Sequence, residues 1–309
     1  MNALLEAVNV NKSYDGHRAL TDLNLAIPEG SIFGLLGPNG AGKTSFIRII
    51  NQITAPDSGQ LLLNGKPMKS ADIARIGYLP EERGLYKKMT VGEQALYLSK
   101  LKGLSGSEAK AKLKEWFERF EIESWWNKKI EELSKGMAQK VQFIVTVLHQ
   151  PDLLIFDEPF TGFDPINTEL IKSEIRRLNK EGATIIFSTH RMESVEEICD
   201  HIALINRSKK ILEGPLKQVR NDFRTNTFKV AYVGDSDQVT SVIKENFELV
   251  DDHNWQDHRE ATVKLPENTK PNALLEALLP IAVIDHFEEV IPSVNDIFIR
   301  MVQKGNNNE

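Results

Sequence analysis

GLLGPNGAGKTSF, residues Gly34 to Phe46, carries too few side chains to pack as ordinary structure. Gly37 is followed, after four residues, by Gly42, Lys43 and Thr44, the spacing G-x-x-x-x-G-K-[ST]. Small residues let successive backbone N–H groups turn inward around an anion, and a helix starting at the same point aims its positive end there. The flanks agree with such a cradle. SIFGLLG is a short apolar run ending in glycine, as a buried strand should be, and SFIRIINQI has helical spacing. Strand, glycine loop and helix in that order predict room for a polyphosphate. Lys43 would reach its β and γ phosphates and the Thr44 hydroxyl would hold Mg²⁺.

A second stretch, DLLIFDEP, predicts a buried strand ending in two adjacent carboxylates, Asp157 and Glu158. An acidic pair after a strand is by itself a solvated strand end. In a chain that also carries the glycine loop, Asp157 fits a Mg²⁺ ligand and Glu158 fits a base that orients or deprotonates an attacking water. Strand and helix alternate through these pieces, but from Thr90 to about Leu133 the character is helical. TVGE at 90–93 and SGSE at 105–108 both match the capping box that starts a helix. A mostly parallel sheet with a helical lobe beside it is therefore expected.

At 309 residues the chain exceeds what one core usually organises, so two domains are expected. From Arg220 onward 9 Lys/Arg face 16 Asp/Glu, a balance of −7, whereas residues 1–219 balance at +1. The acidic end reads strand, helix, strand, strand, helix, strand and a last helix from Val294, the ferredoxin-like order. A net charge of −6 argues against a general nucleic-acid binder. A single cysteine, Cys199, cannot form an internal disulfide. The start MNALLEAVNV lacks a secretion signal, and no apolar run has the roughly eighteen residues needed to cross a bilayer. A cytoplasmic setting is expected, with any membrane role depending on a partner chain.

Between the two chemistry-bearing stretches stands LSKGMAQK (133–140), and after them come TGFDP (161–165) and STH ending at His190. With GPNGAGKT and the aromatic Tyr14 in KSYDG, this ordered set resembles the ATP-binding subunit of ABC transporters over residues 1 to about 219. The resemblance implies an α/β P-loop NTPase core with a helical subdomain at about 85–150, and a small α+β domain at 220–309. It implies ATP and Mg²⁺ as cofactors and hydrolysis of ATP coupled to transport. It assigns nucleotide binding to Gly37, Pro38, Asn39, Gly40, Ala41, Gly42, Lys43, Thr44 and Ser45. Tyr14 would stack on adenine, with a plain strand-edge tyrosine as the alternative. His190 would contact the γ phosphate. Ser134 and Gly136 would bind the nucleotide held by a second subunit, and Asp164 would lie in the loop that crosses between subunits. Ser134 is equally suited to capping its own helix.

Three positions depart from the family's pattern. Glu81, in GYLPEERG, stands where the family usually has glutamine; its carboxylate can still face Mg²⁺ but adds charge. The signature reads LSKGM rather than LSGGQ, which puts the contacts of Lys135 and Met137 in doubt, and TGFDP replaces SGLDP. One phosphate loop and one signature per chain imply a dimer of nucleotide domains closed by two ATP molecules. The resemblance further implies an integral membrane permease as partner, attachment to the inner face of the cell membrane through it, and export rather than import. A soluble ATPase of the same superfamily acting on ribosomes or nucleic acid, and a nucleotide sensor without turnover, stay open. Trp125 and Trp126 suit packing better than partner docking. The acidic end resembles the accessory domain of some bacterial exporter ATPases. Within it Asp251, Asp252, His253, Asp257 and His258 suggest a regulatory metal site, against which stands a solvated hairpin, because the spacing fits no defined metal pattern.

Overall fold

The computed structural model describes residues 2–81, 84–255 and 258–307. Two long strands open the chain, β1 (Ala3–Tyr14) and β2 (His17–Pro28), paired antiparallel with Ala7 opposite Leu25 and Tyr14 opposite His17. One face of β2 is buried and the other exposed, the alternation expected of a sheet with a single core side. β3 (Ile32–Leu36) is different: all five of its residues are buried, because both faces of its sheet are covered. The glycine loop follows and leads into α1 (Lys43–Ile50). β4 (Ser58–Leu63) and β5 (Lys66–Pro67) join β1 and β2 in a four-stranded antiparallel sheet, and β6 (Ile76–Leu79) enters the six-stranded sheet that contains β3.

Three helices then form the lobe expected from the capping boxes: α2 (Val91–Leu101), α3 (Gly106–Arg119) and α4 (Lys135–Val147). Thr90 and Glu93 cap α2 reciprocally, and Ser105 and Glu108 do the same for α3. The chain returns through β7 (Leu153–Asp157), α5 (Pro165–Lys180), β8 (Thr184–Ser188), α6 (Met192–Ile198), β9 (His201–Asn206), β10 (Lys209–Pro215) and α7 (Leu216–Asp222). The second sheet has the order β10-β9-β3-β8-β7-β6, parallel from β9 to β6, with β10 antiparallel at its edge.

α1 lies in the core shared by both sheets. Its Phe46, Ile47, Ile49 and Ile50 are buried with Leu5 and Leu20 from one sheet and Phe33, Ile155 and Ile186 from the other. The lobe is tied to the parallel sheet by stacked rings, Phe120 on Phe143 at 5.8 Å and Phe143 on Phe156 at 5.5 Å. Trp126 is half-buried, 5.6 Å from Phe117, and its ring occupies the space a side chain at Gly92 would need. It packs inside the lobe, as sequence alone suggested.

The chain divides into two compact units, Met1–Leu216 with Met301–Glu309, and Lys217–Arg300. The second contains β11 (Thr227–Gly234), α8 (Ser236–Asn246), β12 (Glu248–Asn254), β13 (Arg259–Lys264), α9 (Pro271–Leu278) and β14 (Ala282–Glu289); α10 (Val294–Asn307) follows. Its sheet order, β12-β13-β11-β14 with every pair antiparallel, is that of a ferredoxin-like fold. Val239 and Ile243 of α8 and Leu274 and Leu278 of α9 cover Phe228, Val230 and Val263. Asp251, Asp252 and His253 lie on β12 itself. Asp251 pairs with His253 at 2.9 Å and Asp252 with Arg259 at 3.6 Å. Asp257 lies outside the described residues, and among those described no group of three or more His, Cys, Asp or Glu is placed to hold a metal.

Candidate nucleotide site

Four neighbouring parallel strands, β3, β8, β7 and β6, end on the same edge, and each is followed by a segment that sequence analysis singled out. After β3 comes the glycine loop, after β8 Thr189 and His190, after β7 Glu158, and after β6 Glu81. Open α/β sheets bind ligands at this edge because the strand ends splay apart into loops and helix N-termini. A cavity of about 680 Å³ lies there, lined by Asn39, Gly40, Gly42, Lys43, Thr44, Ser45, Glu81, Asp157, Glu158 and His190, with Tyr14 from the end of β1. That volume is ordinary for a small-molecule pocket.

Glycine is required at two points of the loop. Gly37 has φ 150°, and a Cβ there would sit 2.1 Å from the Ile205 carbonyl oxygen. Gly42, at φ 117°, would place one 2.2 Å from the Ala19 carbonyl oxygen. No side chain fits either contact. Lys43 closes the loop from inside, its Nζ donating to the carbonyls of Gly37 at 2.7 Å and Pro38 at 3.1 Å. Ala41 is buried behind the loop, its N–H donating to the Pro38 carbonyl. Burial pushes the Lys43 ammonium below its ordinary pKa, while the carboxylates of Asp157, Glu158 and Glu81 pull the other way. Burial raises Asp157; a hydrogen bond from Ser188 opposes the rise, and the charges of Glu81 and Glu158 add to it.

Glu158 is the residue of the site with unusual backbone. Its φ of 50° is left-handed, a conformation that costs a non-glycine residue about 1–2 kcal/mol. The turn swings its side chain across to the end of β8. There Oε1 accepts from the His190 backbone N–H and from His190 Nδ1, each at 2.8 Å, and Oε2 accepts from the Thr189 hydroxyl at 3.1 Å.

Residues 20–161 match the family model described as ABC transporter, and residues 214–302 match that of the DrrA1-3-like ATP-binding protein C-terminal domain. The chain is 47% identical over 220 residues to YhaQ of Bacillus subtilis, an uncharacterized ABC transporter ATP-binding protein, covering 71% of this chain and 74% of that protein. This chain belongs to the ABC transporter ATP-binding proteins. It is 37% identical to the Nod factor export ATP-binding protein I of Cupriavidus metallidurans, over 69% of this chain and 72% of that one. A solved ATP-binding subunit of an ABC transporter superposes with a TM-score of 0.67 at 30% identity, covering 71% of this chain and 93% of its own. The chain is thus an ATP-binding cassette with the ABC ATPase fold.

The donor set also fits magnesium. Three carboxylates, Glu81, Asp157 and Glu158, face one ammonium in the cavity, so a triphosphate entering alone would meet net negative charge. A hard divalent cation held by Asp157, Glu81 and the Thr44 hydroxyl would offset that repulsion and neutralise charge on the phosphates.

Not every expected residue of the cassette reaches the cavity. Gly37, Pro38 and Ala41 belong to the loop but do not line the cavity, and neither do Ser134, Gly136 and Asp164. Ser134 caps α4, its Oγ accepting from the Met137 N–H at 3.2 Å. Asp164 caps α5, accepting from the Asn167 N–H at 2.9 Å, and these hydrogen bonds hold its carboxyl below the usual range. The two caps are neighbours, since a Cβ on Gly136 would lie 3.2 Å from the Gly162 carbonyl oxygen. His17, Ala19 and Ser188 line the cavity unforeseen, and Thr189 supports it from behind. His17 faces Tyr14 across the β1–β2 hairpin, whose two-residue Asp15-Gly16 turn, with φ 43° and 83°, is a local hairpin signal in the sequence; Ser188 and Thr189 precede His190 directly and were also open to inspection.

Proposed function

We propose that this chain is the motor of an exporter, in which two copies close around two ATP molecules and hydrolysis reopens them. The single observation that carries it is the separation just described. The phosphate loop, Asp157 and Glu158 form one half of a site, while exposed Ser134 and Asp164 and half-buried Gly136 form a patch outside it that completes no site of its own. A second copy turned head to tail would bring its patch to the open side of the cavity, where the positive end of α4 suits the γ phosphate.

Within each half, Lys43 and the backbone amides from Gly37 to Ser45 grip the phosphates, and Tyr14, 38% exposed, offers its ring to adenine. Glu158 takes the proton of the attacking water, and His190, already bonded to Glu158, contacts the γ phosphate. The helical lobe, about residues 85–150, passes closure to a membrane permease that holds the chain at the inner face of the membrane. No helix among the described residues is long and apolar enough to cross a membrane, so the permease would supply every helical span. Residues 220–309 form an accessory, regulatory domain. The direction of transport rests on the export function in the name of the Cupriavidus metallidurans relative.

Replacing Glu158 by glutamine tests the centre of this proposal. The full-length Glu158→Gln chain should bind Mg·ATP, elute as a dimer and release phosphate at least about a hundredfold more slowly than the parent. Turnover at the parental rate would remove Glu158 from the role of base.

A further inference from the structure

We propose that Thr189 is a positioning residue for hydrolysis, holding the Glu158 carboxylate in its working orientation through a single directed hydroxyl bond. Thr189 is 1% exposed, so no water competes for its hydroxyl. Its Oγ1 accepts from the Arg191 N–H at 3.1 Å and stands 3.1 Å from Glu158 Oε2. A hydroxyl has one proton to give; with a lone pair occupied by Arg191 and an ionised carboxylate able only to accept, that proton is directed at Oε2.

The need for such a bond comes from the backbone. Left-handed Glu158 projects its side chain sideways from the end of β7 toward β8, held at the root by its own N–H on the Ser188 carbonyl at 2.8 Å. At the tip, both bonds from His190 fall on Oε1, and together they leave the carboxylate able to pivot about that oxygen. The Thr189 hydroxyl is the bond the structure gives to the other oxygen, and it stops the pivot. His190 is also the weaker anchor, with a side chain 72% exposed that faces the nucleotide cavity and is placed to move when ligand enters. Thr189 does not line the cavity. It can therefore hold Glu158 through the catalytic cycle while His190 turns to the phosphate.

The role given to Thr189 rests on that of Glu158 as base, and the experiment separates the two. Phosphate release by the full-length chain is measured against Mg·ATP concentration for the parent, Thr189→Val, Thr189→Ser, Glu158→Gln and the Thr189→Val/Glu158→Gln double variant. Valine keeps the shape and removes the proton, so kcat should fall about ten- to a hundredfold, as for a catalytic group displaced by about an ångström, with KM within about twofold of the parent. Serine keeps the proton and should restore kcat, and in the Glu158→Gln background the valine change should add nothing. Were Thr189 only a turn residue before α6, Thr189→Val would lower Tm and leave kcat at the parental value; that result, with Glu158→Gln inactive, overturns the inference alone. Impaired kcat in Thr189→Ser overturns it too, and decides the matter if the valine variant does not fold. Full activity in Glu158→Gln would instead sink the assignment of the base.

Discussion

At the scale of single residues, the site sets one ammonium against three carboxylates. Lys43 is held inside the loop by the carbonyls of Gly37 and Pro38, which take two of its three N–H donors and leave one for a phosphate oxygen. That bond joins two charged groups and is stronger than either bond to a neutral carbonyl. Lys43→Ala removes the only side-chain cation in the loop, and ATP affinity measured by titration calorimetry should fall at least about tenfold. Unchanged affinity would show that the backbone amides alone hold the nucleotide. Glycine and lysine were readable at this scale because their chemistry is local: a φ above +100° and a fixed spacing to a helix start need no knowledge of the rest of the chain. The bond between Thr189 and Glu158 was not readable, since it joins residues just past the ends of two different strands that sheet order brings together.

Among the elements, the helices announced their own beginnings. Thr90, Ser105 and Ser134 each accept a hydrogen bond from the first turn of the helix they cap, and each occupies the position that sequence implied; Asp164, read from sequence only as a loop residue, caps α5 in the same way. Ends were less legible. α1 stops at Ile50, although apolar spacing continues to Ile53, because Gln52 turns left-handed at φ 52°. β4, β5 and β10 had no clear signal either, since β4 begins with exposed polar residues and β5 has only two residues, whereas the apolar run Ile202 to Ile205 of β9 was open to inspection. Such strands are defined by what pairs with them.

His149, just after α4, carries a prediction of this scale. Burial, aided by the charge of Lys102, holds its pKa at about 4 rather than 6.5. The unfolded chain therefore takes up a proton at His149 as pH falls through 6.5, while the folded chain does not until about 4. Stability should drop across that window and should be fully present above it. In His149→Phe this contribution disappears, so the gap in Tm between parent and variant should narrow or reverse as pH falls from 7 to 4. A gap that does not change with pH would mean that the imidazole is protonated in the fold.

For the whole molecule, the proposal of shared sites makes a complementation test possible. Lys43→Ala leaves the patch of Ser134 and Gly136 intact, and Ser134→Arg leaves the phosphate loop intact. Alone, each variant should be inactive as a homodimer. Mixed, they should regain roughly a quarter of parental turnover: about half the dimers are mixed, each with one competent site of two. No recovery on mixing, with both variants folded, would argue that each chain works alone.

The sequence by itself determined the local chemistry of this protein: a glycine loop with the spacing that lets backbone surround an anion, an acidic pair at a strand end, the caps of α2, α3 and α4, and an acidic second unit with βαββαβ order. Those features depend on residues a few positions apart, whose interactions survive in any fold. Tertiary structure alone decided that β6, β7, β8 and β3 lie side by side, which brings residues 37–45, 81, 157–158 and 189–190 to one edge and leaves Ser134 and Asp164 outside. Strand order is settled by how apolar faces close over α1 and the aromatic stack of the lobe. That is a property of the folded core, and no single stretch of chain encodes it.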